Sequence, residues 1–370
     1  MHASARALGF QAVGITDSSP LPGGARLREW LARGHHAGMR WMDRPGVRED
    51  PRAFFPAARS VIVAGWNTYV PAVPPGSGEG RIARFATRPD YHARLRAMLE
   101  GLLERLRAVV PCRGVVAVDA QPLLERALGE RAGLGWAGGS SCLVAAAHGP
   151  WLLLGELLVD VELAPDAPGP PRCGTCARCA ASCPTGAIVS PRVVDARRCV
   201  AYLTVEHRGF VPRDLRRGVG RWLFGCDACQ EACPWTRFAR IEAAGRVETL
   251  KVPTVLDAAG FLALDEAGFK AAYAGTALMR AGRARMARNA AIVLGNLGDP
   301  AAGRVLTAAL RDPEPVVRGH AAWALGMLGA RAPLAAAARI EADPAVQEEL
   351  AAAASDASAD AADSDRPREG

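Results

Sequence analysis

Eight of the ten cysteines fall between Cys173 and Cys233, and their spacing constrains the chain more tightly than any other feature. One run reads Cys173-x2-Cys176-x2-Cys179-x3-Cys183-Pro184. A second reads Cys226-x2-Cys229-x3-Cys233-Pro234. Cys199 stands between them, in Arg197-Arg198-Cys199-Val200. Met1–Phe10 carries neither the apolar core and cleavage site of a signal peptide nor a twin-arginine start, so the expected address is cytoplasmic. In a reducing compartment crowded cysteines hold metal rather than disulfides.

The first run has the spacing of bacterial two-cluster ferredoxins. Three cysteines in a tight loop wrap one corner of a cubane, and the fourth, before proline, turns to the other cluster. The second run is the tail of the same motif without its first cysteine, and Cys199 is the natural substitute. The crossover assigns Cys173, Cys176, Cys179 and Cys233 to one 4Fe–4S cluster. It assigns Cys199, Cys226, Cys229 and Cys183 to a second. Structural zinc sites also use CxxC pairs, but two Cys-Pro ends and three cysteines at two-residue gaps argue against zinc. Cys112 and Cys142 read as small core hydrophobes.

The 370 residues, half of them apolar and 22% charged, have room for two to three domains. The longest apolar stretches, Ser60–Trp66 and Trp151–Val159, are strand-sized and fall short of the ~18 residues of a membrane span. Residues 1–165 read as an α/β domain. Strands are expected at Ala12–Thr16, Ser60–Gly65, Val115–Asp119 and Trp151–Val161. Helices are expected at Tyr91–Val109, with leucines and Met98 at helical spacing, and at Leu123–Ala132. Leu134–Ser141 is a glycine-rich loop, and Pro165–Pro171 is a linker. Residues 172–240 form the ferredoxin-like two-cluster domain.

From about residue 250 to 350 the chain is helical and repetitive. Ala290-Ala291 and Leu294-Gly295 recur at Ala321-Ala322 and Leu325-Gly326, and Asp312-Pro313 recurs at Asp343-Pro344. The constant offset, 31 residues from Ala290 to Ala321, marks a C-terminal α-helical unit of HEAT-like repeats. Two repeats do not make a stable solenoid, so the unit is expected to pack on the preceding domain. Residues 351–370 hold five acidic and two basic residues and are expected to be disordered. That tail carries −3 of the formal +7, which leaves +10 on the body, a balance that suits a nucleic-acid or phosphate partner.

Two clusters form an electron wire, and residues 1–165 are the place for its acceptor. No GxGxxG follows a strand there, so a dinucleotide fold is not indicated.

The whole order of motifs resembles the epoxyqueuosine reductase family, which acts in tRNA queuosine synthesis. The resemblance rests on Arg48-Glu49-Asp50-Pro51 with Ala58-Arg59-Ser60-Val61-Ile62, on Asp90-Tyr91-His92, and on Val118-Asp119 with Leu124-Glu125-Arg126-Ala127. It continues through Glu130-Arg131-Ala132-Gly133-Leu134-Gly135-Trp136, the double cysteine motif and the HEAT-like unit. Such a family implies base-off cobalamin beside the clusters, in keeping with the absence of a DxHxxG signature. It implies reduction of an epoxide to an alkene with loss of water, a step needing two electrons and two protons.

On that resemblance Asp119 is the expected proton donor and faces the cofactor; without it, Asp119 reads as a helix cap. Arg48, Ala137, Gly139, Ser140 and Asp227 are the expected cofactor contacts, and Tyr202 and Thr204 are weaker ones. The family's usual lysine after the Gly-Trp pair is Gly139 in this chain, a departure within the cofactor loop. His92 reads as an ordinary helix residue.

The implied partners are a tRNA carrying epoxyqueuosine in its anticodon loop and an unidentified electron donor, with no membrane and a monomeric chain. Arg283, Arg285, Arg288, Arg304, Arg311 and Arg318 in the repeats are the expected phosphate contacts. Arg213, Arg216, Arg217 and Arg221 in the cysteine insertion join them. Two other readings compete. A reductive dehalogenase shares the cobalamin-plus-ferredoxin plan but would not carry the HEAT-like unit. A non-catalytic ferredoxin-type carrier would not need the 165-residue first domain.

Overall fold

A computed structural model describes residues 1–241 and 250–364, with side-chain surroundings through residue 356. Two compact units emerge. The first comprises Met1–Pro71, Asp90–Cys199 and the described part of Asp227–Thr249. The second comprises Ala72–Pro89, Val200–Cys226 and the described part of Leu250–Gly370. The contiguous boundaries expected from the sequence therefore differ from the compact units. Residues 72–89 leave the N-terminal segment, and residues 200–226 leave the cysteine segment, to join the helical repeats. Among the described residues no helix is long and apolar enough to cross a membrane.

In chain order the strands are β1 (Ala12–Asp17), β2 (Ser60–Asn67), β3 (Glu79–Ile82), β4 (Gly114–Ala117), β5 (Trp136–Ala137), β6 (Leu143–Val144), β7 (Leu152–Val159), β8 (Ile188–Ser190), β9 (Val193–Val194), β10 (Trp222–Phe224) and β11 (Val255–Asp257).

The first unit is built on an antiparallel sheet of order β1-β2-β7-β4. Its central strands, β2 and most of β7, are buried on both faces, which is why they read as continuous apolar runs. Val61 and Val63 point to one face, under the helix Glu125–Arg131. Ile62 takes the opposite face by the period-two rule and is fully buried. The helix Tyr91–Arg107 packs on β4 and β7 through Leu95, Met98, Leu99, Leu102, Leu103 and Leu106. Gly155 in β7 permits that approach, since a Cβ there would sit 2.9 Å from Leu99 Cδ1.

The expected linker is not a free tether. Asp166 donates its N–H to Ile15 O and accepts Ile15 N–H on Oδ2, each at 2.8 Å, covering the open edge of β1.

The second unit joins a three-stranded sheet, β10-β3-β11, to the helical repeats. Ala290, Ala291, Ala321 and Ala322 are fully buried. The repeated Leu-Gly pairs have one physical cause. A Cβ on Gly295 would fall 2.7 Å from Trp323, and one on Gly326 would fall 2.8 Å from Ala353 O. Each glycine is the point of closest approach to the next long helix. Residues 351–364, expected to be disordered, continue the helix Pro344–Ser364; residues 365–370 lie outside the described residues.

Candidate active site and metal centre

Strand β4 stops at Ala117, two residues short of the expected end. The chain then turns sharply, and Asp119 adopts φ +56°, a left-handed conformation that aspartate tolerates better than most residues. Asp119 is not a helix cap, because the next helix is Glu125–Arg131 with Leu124 at its N-cap. Its side chain is instead held from the start of the helix Tyr91–Arg107. Tyr91 Oη donates to Asp119 Oδ2 at 2.7 Å, and His92 Nε2 lies 3.2 Å from the same oxygen. His92 Nδ1 lies 2.6 Å from Asp90 Oδ1. The hydrogen bond to Asp119 raises the pKa of His92, and Asp90 adds to it. His92 is a helix residue, as expected, and its ring also lies between the carboxyl groups of Asp90 and Asp119.

Two more acids stand behind Asp119. Glu125 Oε1 accepts the Asp119 backbone N–H at 2.7 Å. Burial pushes Glu125 up to about 7, and the charge of Asp119 adds to this. Glu156, in the middle of β7 and opposite Ala117, is fully buried, and neither of its oxygens has a hydrogen-bond partner. Burial raises it well above the usual carboxylate range, with Glu125 and Asp119 contributing. Arg48 approaches the same acids. It is buried, gives Nη2 to Trp41 O at 2.9 Å, keeps Nε without a partner, and acts on Glu125 by its charge. Arg48 and Asp119 therefore both act on Glu125, Arg48 through its charge and Asp119 also through its backbone N–H. Glu125 and Glu156 were not among the expected site residues.

The thiols form a second centre. Cys173, Cys176, Cys179 and Cys233 line one cavity of about 190 Å³ with Gly138, Gly139 and Trp235. Trp136 Nε1 lies 3.3 Å from Cys173 Sγ. Among the described residues no three His, Cys, Asp or Glu side chains converge as a single metal ion requires. Four thiols around a cavity suit a polynuclear cluster instead. A Cβ on Gly139 would be 3.2 Å from Cys179 Sγ, so this glycine packs on the thiol centre. Gly138 N–H donates to Cys142 O and closes the loop that carries Gly139 and Ser140.

Cys183 sits in a turn where its Sγ accepts Ala187 N–H at 3.2 Å. Thr185 Oγ1 donates to Arg198 O, and Arg198 Nε donates back to Thr185 O. This reciprocal pair ties the turn to the residue before Cys199. Ser182 Oγ contacts Ala228 O at 3.4 Å, bringing the helix that carries Cys229 to the same turn. Asp227 is buried and accepts from Gln230 Nε2. Cys142, read as a plain core thiol, is hydrogen-bonded to Cys229 and Ser140. Ala137 gives its N–H to Glu130 Oε1. Thr204 lies in the second unit. It is buried, and its Oγ1 accepts Gly225 N–H at 3.0 Å, beside Cys226. Tyr202 packs on His207.

Most of the expected phosphate-binding arginines are structural. Arg288 is fully buried and binds the carbonyls of Leu203, His207 and Gly209; burial brings it down to about 9. Arg216 is buried and, with Arg213, pairs with Glu349. Arg283 pairs with Asp312 and Arg318 with Glu341. Arg285 binds Ala281 O and Val205 O, and Arg221 binds Gly76 O. Arg217, Arg304 and Arg311 are exposed.

Residues 48–120 match the family model described as epoxyqueuosine reductase QueG, DUF1730. Residues 172–236 match the 4Fe-4S double cluster binding domain, and residues 274–356 match HEAT repeats. An epoxyqueuosine reductase of Xanthomonas campestris pv. campestris is 39% identical over 348 residues, covering 88% of this chain and 94% of that one. The Escherichia coli K12 epoxyqueuosine reductase is 38% identical over 331 residues, covering 86% of each. A crystal structure of epoxyqueuosine reductase with a tRNA-Tyr epoxyqueuosine-modified stem loop superposes with a TM-score of 0.89 at 28% identity, covering 96% of this chain and 97% of that one. A Bacillus subtilis epoxyqueuosine reductase, solved with an aspartate catalytic loop swung out of its active site, superposes equally well, with the same identity and coverage.

Proposed function

The chain belongs to the epoxyqueuosine reductase family, and from that premise we propose that it reduces epoxyqueuosine within tRNA, with Asp119 as the acid that protonates the epoxide oxygen. It is an oxidoreductase that carries a double iron–sulfur cluster domain. The tRNA reading is supported by the relative solved with a modified stem loop. In this reading the chain acts as a monomer in the cytoplasm on electrons from an external donor.

The observation that carries the reading is the setting of Asp119. A carboxyl is held out of the strand in a left-handed turn, oriented by Tyr91 and His92, with Glu125 and the fully buried Glu156 behind it. Opening the epoxide leaves negative charge on oxygen, and a carboxylic acid at that oxygen neutralises it. Loss of water then needs a second proton at the resulting hydroxyl.

Base-off cobalamin, when bound, supplies strongly reducing cobalt for the two-electron step. Arg48, Ala137, Gly139, Ser140 and Asp227 are the residues assigned to hold it. The partnerless Nε of buried Arg48 is the feature that fits such a ligand. Cys173, Cys176, Cys179 and Cys233 would hold one cluster and Cys199, Cys226, Cys229 and Cys183 the other, and the two would supply electrons one at a time. The protein orients the base, excludes water and manages the protons.

The test is anaerobic incubation of the iron-, sulfide- and cobalamin-reconstituted protein with reductant and epoxyqueuosine-containing tRNA. Nucleoside analysis should show queuosine replacing epoxyqueuosine. Unchanged epoxyqueuosine, with clusters and cobalamin loaded, overturns the assignment.

A further inference from the structure

The reaction consumes two protons at one site, and a single carboxyl holds one. Asp119 therefore needs a resupply between the two protonation steps. Its hydrogen-bonding neighbours Tyr91 and His92 point at the same oxygen, Oδ2, but neither is suited to give up a proton. Tyr91 is a weak acid. Asp90 and Asp119 together raise the pKa of His92, so it gives up a proton less readily than a free imidazole.

We propose that Glu125 is a proton store behind Asp119, kept from ionising together with a second acid by the neutral Glu156, and that Glu125 passes the second proton of the reaction to the Asp119 carboxylate. This rests on the reading of Asp119 as the acid. The geometry is specific. Glu125 reaches the Asp119 backbone at 2.7 Å, so its carboxyl is fixed against that residue. Glu156 is fully buried with both oxygens unpartnered, a setting in which only the neutral acid is stable. The pressures on Glu125 are balanced for release. Asp119 and burial favour its protonated form, while Arg48 and Arg126 favour the carboxylate left once the proton has gone.

The transfer balances without a co-reactant. Asp119 gives its proton to the epoxide oxygen and becomes a carboxylate. Glu125 gives its carboxyl proton to Asp119, so one negative charge moves back by one residue. Asp119 gives the second proton to the hydroxyl, which leaves as water. Glu125 and Asp119 are recharged from solvent after turnover. Glu156, facing Glu125 and Asp119, stays protonated and keeps a second negative charge out of the store.

The experiment uses reconstituted holoenzyme carrying Glu125→Gln, Glu125→Asp or Glu156→Gln, with iron content and tRNA affinity measured for each. Glu125→Gln keeps an oxygen for the Asp119 N–H but has no proton to release. Its single-turnover rate should fall ~10-fold or more with tRNA KM unchanged, and the rate decline above about pH 7 should vanish. Glu125→Asp should restore that decline. Infrared spectra at neutral pH should show protonated-carboxyl absorption that Glu156→Gln reduces by one component. A Glu125→Gln enzyme with the wild-type rate and pH profile overturns the store, as does a carboxyl band unchanged in Glu156→Gln. Wild-type protein that forms no queuosine, or Asp119→Asn at the wild-type rate, overturns the underlying reading instead.

Discussion

The hydroxyl of Tyr91 donates to Asp119 Oδ2 across 2.7 Å, joining the first turn of one helix to a left-handed residue in another loop. With His92 at the same oxygen, this bond helps set the direction of the Asp119 side chain. Tyr91→Phe should lower kcat ~10-fold while leaving tRNA KM and iron content near wild type, because an orienting bond of ~1 kcal/mol is lost without a buried vacancy. Steady-state kinetics beside iron analysis checks this.

His92 ties the same acid to pH. Its folded-state pKa is raised above the ordinary 6.5, first by the bond to Asp119. A histidine shifted upward stabilises the folded chain fully below its unfolded pKa, and the contribution fades as pH rises through the folded value. The melting temperature of wild type should therefore exceed that of His92→Gln at pH 5.5, and the gap should close on the alkaline side. A gap independent of pH would show that His92 acts by packing alone.

The cysteine partition predicts a pattern of non-additivity. Cys173→Ala and Cys233→Ala belong to one cavity, so the double variant should lose no more iron than either single one. Each should lose about four of roughly eight irons, the complement of two cubanes. Adding Cys183→Ala should remove the remainder. Iron and sulfide analysis with electron paramagnetic resonance reads this directly.

The arginines divide into two experimental classes. Arg288→Met strips a buried guanidinium from three backbone carbonyls and should cost ~3 kcal/mol or more of stability, measured by denaturant unfolding. Arg304→Ala with Arg311→Ala touches exposed side chains. It should leave unfolding unchanged and reduce the salt slope of tRNA binding by about one to two. Filter binding across a salt series would refute the placement if the slope held.

The sequence made the metal centre legible because ligand spacing is a local property. Cys173 to Cys179 curl around one cavity for the same reason their gaps are two residues. The apolar period of Tyr91–Arg107 likewise located its buried face. The proton machinery was not legible. Glu156 hides in an apolar strand, and its isolation depends on what covers both faces of the sheet. His92 looked like helix surface, because Asp119 reaches it from 27 residues away. The arginines misled for the converse reason. Arg288 and Arg216 lie in polar, solvent-like patterns, and only the return of residues 200–226 to the repeats buries them.

Gly295 and Gly326 each mark where one long helix touches the next, and they are separated by the full repeat. The array therefore has a quantised length. A whole 31-residue module can be gained or lost with every contact kept in phase. One residue inserted inside the helix Pro315–Met327 ahead of Gly326 would turn that glycine ~100° off its contact and present a side chain where only hydrogen fits. Over evolutionary time this part of the chain should vary in steps, and its loops should absorb the smaller changes.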